Sequence, residues 1–161
     1  MNSRTLIVNG ILAALYVAVS LVINPIAFSA IQFRIPELFN HLIVFNKKYI
    51  YGIVAGVFIT NLFSPMAAYD LIFGVGQSLL ALLIVIFASR YIKNIKVLMI
   101  INILVFTFTM FMIALELHLA LGFPFWLSWF TTAVGEFTVM LIGAPIIYAM
   151  NKRIQFSKWI S

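Results

Sequence analysis

The chain has 161 residues, of which 65% are hydrophobic and 9% charged, with a mean hydropathy of +1.16. A soluble domain carries charge on about a quarter of its residues, so this composition excludes one and calls for a lipid environment. The net charge of +6, ten Lys and Arg against four acids, reports topology in a membrane chain rather than an acidic partner, and nucleic acid is set aside.

At roughly 150 residues per domain, residues 1–161 form one transmembrane domain. Charge-free stretches over 5–33, 49–69, 71–89 and 97–115 are long enough to cross a bilayer as helices and leave no soluble catalytic domain. With no cysteine there is neither a disulfide framework nor a thiolate site. The first predicted helix covers 6–23 and ends at Asn24-Pro25. Arg4 precedes it and Ala27-Phe28-Ser29-Ala30 has the look of a cleavage region. Its apolar run exceeds the roughly 7–15 residues of a signal core and more spans follow, so a retained helix is expected. The second segment, 37–46, lies between Pro36 and Lys47-Lys48; as an α-helix its length would rise only ~15 Å, about half the hydrocarbon thickness. The third, 49–62, closes at Ser64-Pro65, and the fourth, 70–88, stops before Arg90, Lys93 and Lys96. The fifth, 97–117, is broken by Gly122-Phe123-Pro124, and the last, 125–150, ends at Lys152 and Arg153.

Six crossings leave only Arg34 on the outer side, whereas five, with the second segment re-entrant and an external N-terminus, misplace only Arg4. The all-α six-helix bundle with both termini cytoplasmic is preferred, because a short helix can reach the outer side if the 25–36 connection dips into the bilayer where protein buries its backbone.

The four acids are the more informative asymmetry. Glu37, Asp70 and Glu116 fall at external helix ends, while Glu136 lies eleven residues past Phe125, ~16 Å along the helix and near mid-membrane. A charge there is costly and should face the bundle interior or a wet cavity, as a ligand group or as a structural hydrogen bond. Helical spacing aligns Glu37, Asn40 and His41; Asp70, Gly74 and Gln77; and Trp129, Thr132 and Glu136. Carboxylates beside aromatics suit an externally open pocket for a small, planar, hydrogen-bonding ligand, a cationic one included, since carboxylates outnumber bases there. Trp126 and Trp129 can equally be interface anchors, and Arg34 can bind an anionic group or pair with Glu37. His41 and His118 belong to no metal-binding motif, so no metal site and no cofactor are expected. Gly10, Ala14 and Ala18 make a small-residue stripe on the first helix, either for packing within the bundle or for contact with another protein. No phosphate-binding Gly-Lys loop is present, so uphill transport would draw on a partner or an ion gradient.

Three strings carry a resemblance: IQFRIPELF from Ile31, NLFSPMAAYD from Asn61 followed by Phe73-Gly74, and GEFTVMLIGAPIIYAM from Gly135. Together they resemble the QueT family, membrane-embedded substrate-binding (S) subunits of energy-coupling-factor (ECF) transporters assigned to queuosine precursors. The resemblance implies six helices, a pocket near the external side, and separate coupling and ATPase subunits in the prokaryotic cytoplasmic membrane. It places the family's substrate motifs on Phe33, Arg34, Ile35 and Glu37, on Asn61 to Pro65 with Asp70, and on Gly135 and Glu136, and its coupling-subunit contact on Ala14 and Ala18. Pro36 stands where Ser is expected, and Gly76-Gln77 where small or hydroxylated residues are usual. The expected ligand is a 7-deazaguanine, bound by Glu37, Asn40, His41, Arg34, Asp70, Gln77, Glu116, Trp129 and Glu136. The alternatives are another cationic heterocyclic vitamin, or an autonomous proton- or cation-coupled carrier with Glu136 as relay; a membrane enzyme ranks last, for want of a nucleophile-base pair or metal cluster.

Overall fold

A computed structural model describes residues 2–27 and 33–160. Phe28, Ser29 and Ala30 of the cleavage region, together with Ile31 and Gln32, lie outside the described residues. The described chain is all-helical: α1 (Ser3–Ala27), a long 3-10 helix (Ile35–Val44), α2 (Ile50–Leu62), α3 (Ala67–Ala88), α4 (Ile95–Thr109), α5 (Phe111–Leu121) and α6 (Phe125–Ile154), with 3-10 turns at Lys47–Tyr49 and Phe156–Lys158. Four spans are long and apolar enough to cross a membrane: Ser3–Ile23, Ala67–Ala88, Ile95–Leu121 and Phe125–Ile154.

Three departures from the expected elements have physical reasons. α1 continues through Asn24-Pro25, since a proline in the last turn of a membrane helix removes a single donor and does not force the helix to stop there. The second segment is a 3-10 helix, whose ~2.0 Å rise per residue carries ten residues ~20 Å where an α-helix would give ~15 Å. The fifth segment is a span in two pieces, α4 and α5, hinged at Met110. There the Thr109 hydroxyl donates to the Phe106 carbonyl (3.1 Å), a side-chain bond that competes with the helical ladder.

The 3-10 helix occupies the middle of the bundle, packed on α6, α1, α4 and α3. Its Pro36, Glu37, Asn40, His41, Leu42 and Ile43 are buried. Irregular backbone at membrane depth is tolerated where protein encloses it. The core around it joins Tyr16, Ile53, Val57, Leu82, Phe106, Met140 and Ile147.

α1 and α2 make the most intimate helix pair. A Cβ on Gly52 would stand 2.7 Å from Asn9 Oδ1, and one on Gly56 2.7 Å from Tyr16 Cβ, so only glycine permits this approach. The Gly52 N–H, one of the first amides of α2 without a partner in its own helix, donates to Asn9 Oδ1 (2.8 Å). At the far end α5 closes on Gly122 in the left-handed region (φ 71°). Past α6, the Tyr49 hydroxyl donates to the Phe156 carbonyl (2.8 Å) and Asn46 Nδ2 to the Ile160 carbonyl (2.9 Å), drawing the tail back onto the bundle.

Candidate functional site

The site grows from the first turn of the 3-10 helix. Residues three apart eclipse on such a helix, so the Asn40 side chain lies over Glu37 and its Nδ2 donates to Glu37 Oε2. Glu37 Oε1 accepts from the Tyr16 hydroxyl of α1 (2.9 Å) and from Arg34 Nη2 (2.9 Å). Glu37 is wholly buried, and both its oxygens are engaged by protein donors, as a buried carboxylate requires.

Its neighbours are not satisfied in this way. Arg34 Nη1, Asn40 Oδ1 and both carboxylate oxygens of Glu136 are buried and make no protein hydrogen bond, and Glu116, also buried, faces the Asp70 carboxyl. Arg34 is within electrostatic reach of Glu37, Asp70 and Glu136, and Glu116 is within reach of Arg34 and Asp70. All four acids of the chain therefore gather round one guanidinium. Buried polar groups are normally paired, and these acceptors and this one donor have no partner among the described residues.

A cavity of about 90 Å³ reaches this cluster at Arg34 and Asp70 and is lined further by Tyr16, Thr60, Asn61 and Ser64, whereas Glu37, Asn40, Glu116 and Glu136 lie behind its wall. The α2–α3 turn shapes its wall. Asn61 Nδ2 donates to the Asp70 carbonyl (3.0 Å), and Ser64 Oγ donates to the Asp70 carboxylate and accepts from the Met66 N–H (3.1 Å). Asn61 reaches Asp70 across Gly74, where a Cβ would come within 2.7 Å of its amide nitrogen.

The structure brings together Arg34, Glu37, Asn40, Asp70, Glu116 and Glu136. It places the other candidates elsewhere. His41 donates from Nε2 to the Met140 carbonyl (2.8 Å) and accepts at Nδ1 from Asn102 (3.1 Å), so both ring nitrogens tie the 3-10 helix to α6 and α4. Gln77 donates to the Thr109 hydroxyl (2.9 Å) and accepts from Ser78 (3.2 Å), beside the hinge of the fifth span. Trp129 donates to the Phe108 carbonyl (3.2 Å). Its ring meets Phe108, Phe111, Phe125 and Trp126 at 5.6–6.2 Å between centroids, on the open groove between α4 and α6. His118 donates from Nδ1 to the Phe123 carbonyl (2.7 Å), just past the end of its own helix.

Tyr16 and Thr60 were not singled out by sequence reasoning, and Asn61 and Ser64 entered only through the QueT resemblance. Tyr16 had a legible signal, a hydroxyl aligned at helical spacing with Asn9 and Thr5 in a segment otherwise apolar. Gly10, Ala14 and Ala18 all face outward, with no atom within 4 Å of a Cβ built on Gly10. The inward face of α1 is Thr5, Asn9, Leu12, Ala13 and Tyr16, and the stripe lies off it among the described residues.

Residues 6–152 match the family model described as "QueT transporter". The chain is 37% identical over 157 residues to the "Queuosine precursor transporter QueT" of Lactococcus lactis subsp. cremoris, covering 92% of each chain. No solved structure matches.

Proposed function

The chain belongs to the QueT transporter family, and from that premise we propose that this multi-pass membrane protein captures a queuosine precursor, a 7-deazaguanine such as 7-aminomethyl-7-deazaguanine, as the S subunit of an ECF-type importer. The observation that carries the reading is the unpaired set at the site: Glu136 with two free oxygens, Arg34 with a free Nη1, and Asn40 with a free Oδ1, all buried. A guanine-like edge offers two adjacent N–H donors and a carbonyl acceptor. Glu136 accepts the former in a bidentate fashion and Arg34 Nη1 donates to the latter. Asp70 and Glu116 are left to meet an aminomethyl cation. Glu37, already saturated, holds Arg34 in position.

The remaining features fit the same reading. Nine of the ten cations stand at the helix ends away from Arg34, which the positive-inside rule assigns to the cytoplasm together with both termini. The outward Gly10, Ala14 and Ala18 stripe then offers a close-approach surface to a transmembrane coupling subunit, through which separate ATPase subunits supply the energy.

Equilibrium titration of the purified chain with aminomethyl- and cyano-deazaguanine, without ATP, tests the assignment. Saturable binding is expected, and Glu136→Gln is expected to weaken it about 10- to 100-fold, the range for a buried hydrogen bond to a charged acceptor. Undiminished binding by Glu136→Gln makes that residue structural. No binding of either compound removes the substrate.

A second reading, an autonomous carrier with Glu136 as a proton relay, draws on the same buried carboxyl. Uptake by the chain alone in vesicles, driven by a pH gradient, favours it; uptake that requires added ATPase and coupling subunits favours the importer.

A further inference from the structure

Charge is divided between the two ends of the bundle. The acids surround Arg34, whose guanidinium pairs with Glu37 (2.9 Å). At the other end a cleft of about 270 Å³ lies between the close of the long 3-10 helix and the α3–α4 turn. Lys47 and Lys93 both line it. Lys93 Nζ donates to the Ser89 carbonyl (2.9 Å), which holds the ammonium at the cleft and leaves two of its three N–H directions open. Among the described residues neither lysine is paired with a carboxylate. Ile43, Val44, Ile92 and Leu98 share the lining. The polar neighbours are already engaged: Asn46 with the Ile160 carbonyl and the Lys48 N–H, and Ser89 Oγ with the Ile86 carbonyl.

The cleft also sits at a recognisable depth. Tyr91 (74% exposed) and Trp159 (46% exposed) mark this end, as aromatic side chains mark the headgroup layer of a bilayer.

We infer that this cleft binds an anionic phospholipid, its phosphate between the Lys47 and Lys93 ammonium groups and its glycerol and first methylenes against Ile43, Val44, Ile92 and Leu98. Charge complementarity selects the anion, and the apolar walls select a lipid over free phosphate, which would use the lysines and leave the walls wet. An acidic protein segment fits less well, because the engaged polar groups offer its backbone no partners. Basic pockets between membrane helices on the cytoplasmic side suit such headgroups. The inference stands apart from the ligand of the acidic site.

The test is native mass spectrometry and thermal melting of the full chain in neutral detergent, titrated with phosphatidylglycerol, phosphatidylcholine or inorganic phosphate. Phosphatidylglycerol is expected to leave a retained one-lipid adduct and raise the melting temperature, and the other two to do neither. Lys47→Gln with Lys93→Gln is expected to lose on the order of tenfold in phosphatidylglycerol affinity. Lys152→Gln with Arg153→Gln, which removes the same charge from the exposed end of α6, is expected to keep it. Equal loss in both double variants means diffuse attraction and overturns the site. Phosphate stabilising as well as the lipid overturns the lipid, and so does displacement of bound phosphatidylglycerol by an acidic peptide at equal concentration.

Discussion

α1 carries small residues at Gly10, Ala14 and Ala18, and α2 carries them at Gly52 and Gly56; the four-residue spacing is shared, and the surroundings are opposite. The α2 pair is buried against Asn9 and Tyr16 of α1, whereas the α1 stripe is exposed and its glycine touches nothing. A small-residue stripe states that a helix can come close. Which helix comes is decided by what stands across from it. For Gly52 and Gly56 the neighbour is in the chain, because Asn9 and Tyr16 are the polar residues of α1 that must face inward. Gly10, Ala14 and Ala18 are exposed among the described residues, so the surface is open to another protein.

The largest effect is expected at Gly56. A leucine there drives its Cβ into the Tyr16 ring, 2.7 Å from Cβ and 2.8 Å from Cγ, and overpacking of this kind costs about 1–3 kcal/mol or more. Because the Tyr16 hydroxyl donates to Glu37, the damage passes directly to the site. Gly56→Leu should lower the melting temperature and lose ligand binding together. A variant that melts like the parent would mean that α1 and α2 can separate without disturbing Glu37.

Ala14→Trp makes the contrasting case. Ala14 is exposed, so the indole adds bulk on the outside of the bundle and melting should stay within about 0.5 kcal/mol of the parent, as for surface substitutions generally. Copurification with a coupling subunit, and uptake through it, should be lost while affinity for the deazaguanine is kept. Loss of stability and affinity alongside the partner would return the stripe to the bundle interior.

These contrasts also mark how far the sequence could be read. Membrane spans were legible because an apolar run is a local property, as was the stop at Gly122, whose left-handed backbone favours glycine. The hinge at Met110 and the 3-10 form of Ile35–Val44 were not, since nothing in the apolar pattern separates one straight span from two bent pieces, or an α from a 3-10 rise. The site was legible in its acids and less so in its partners. Glu37, Asn40 and His41 share a helical face in sequence, yet Asn40 turns to Glu37 while His41 turns to Asn102 and Met140. Spacing places residues on a face and leaves open what lies opposite. The Gly52 and Gly56 pair shows the same limit, for its spacing was as visible as that of the α1 stripe and its partner was on another helix.

The smallest effect sharpens the comparison most. Gly10→Ala adds one methyl where no atom lies within 4 Å, whereas Gly52→Ala adds it 2.7 Å from Asn9 Oδ1 and 2.8 Å from the Asn9 carbonyl oxygen. In water the first change would stabilise a helix by roughly 0.5–1 kcal/mol, since alanine has less backbone freedom to lose. In a bilayer the gain is smaller, because unsatisfied backbone groups are so costly there that the separated helix is already formed before it packs. Gly10→Ala should therefore raise the melting temperature of the isolated chain slightly or leave it unchanged. Gly52→Ala should lower it, since the Asn9 carbonyl is backbone and cannot swing aside. Measured side by side in one detergent, only the methyl at Gly52 should cost stability. If both lower it equally, Gly10 is packed against something in the folded chain and the outward stripe loses its claim to a partner.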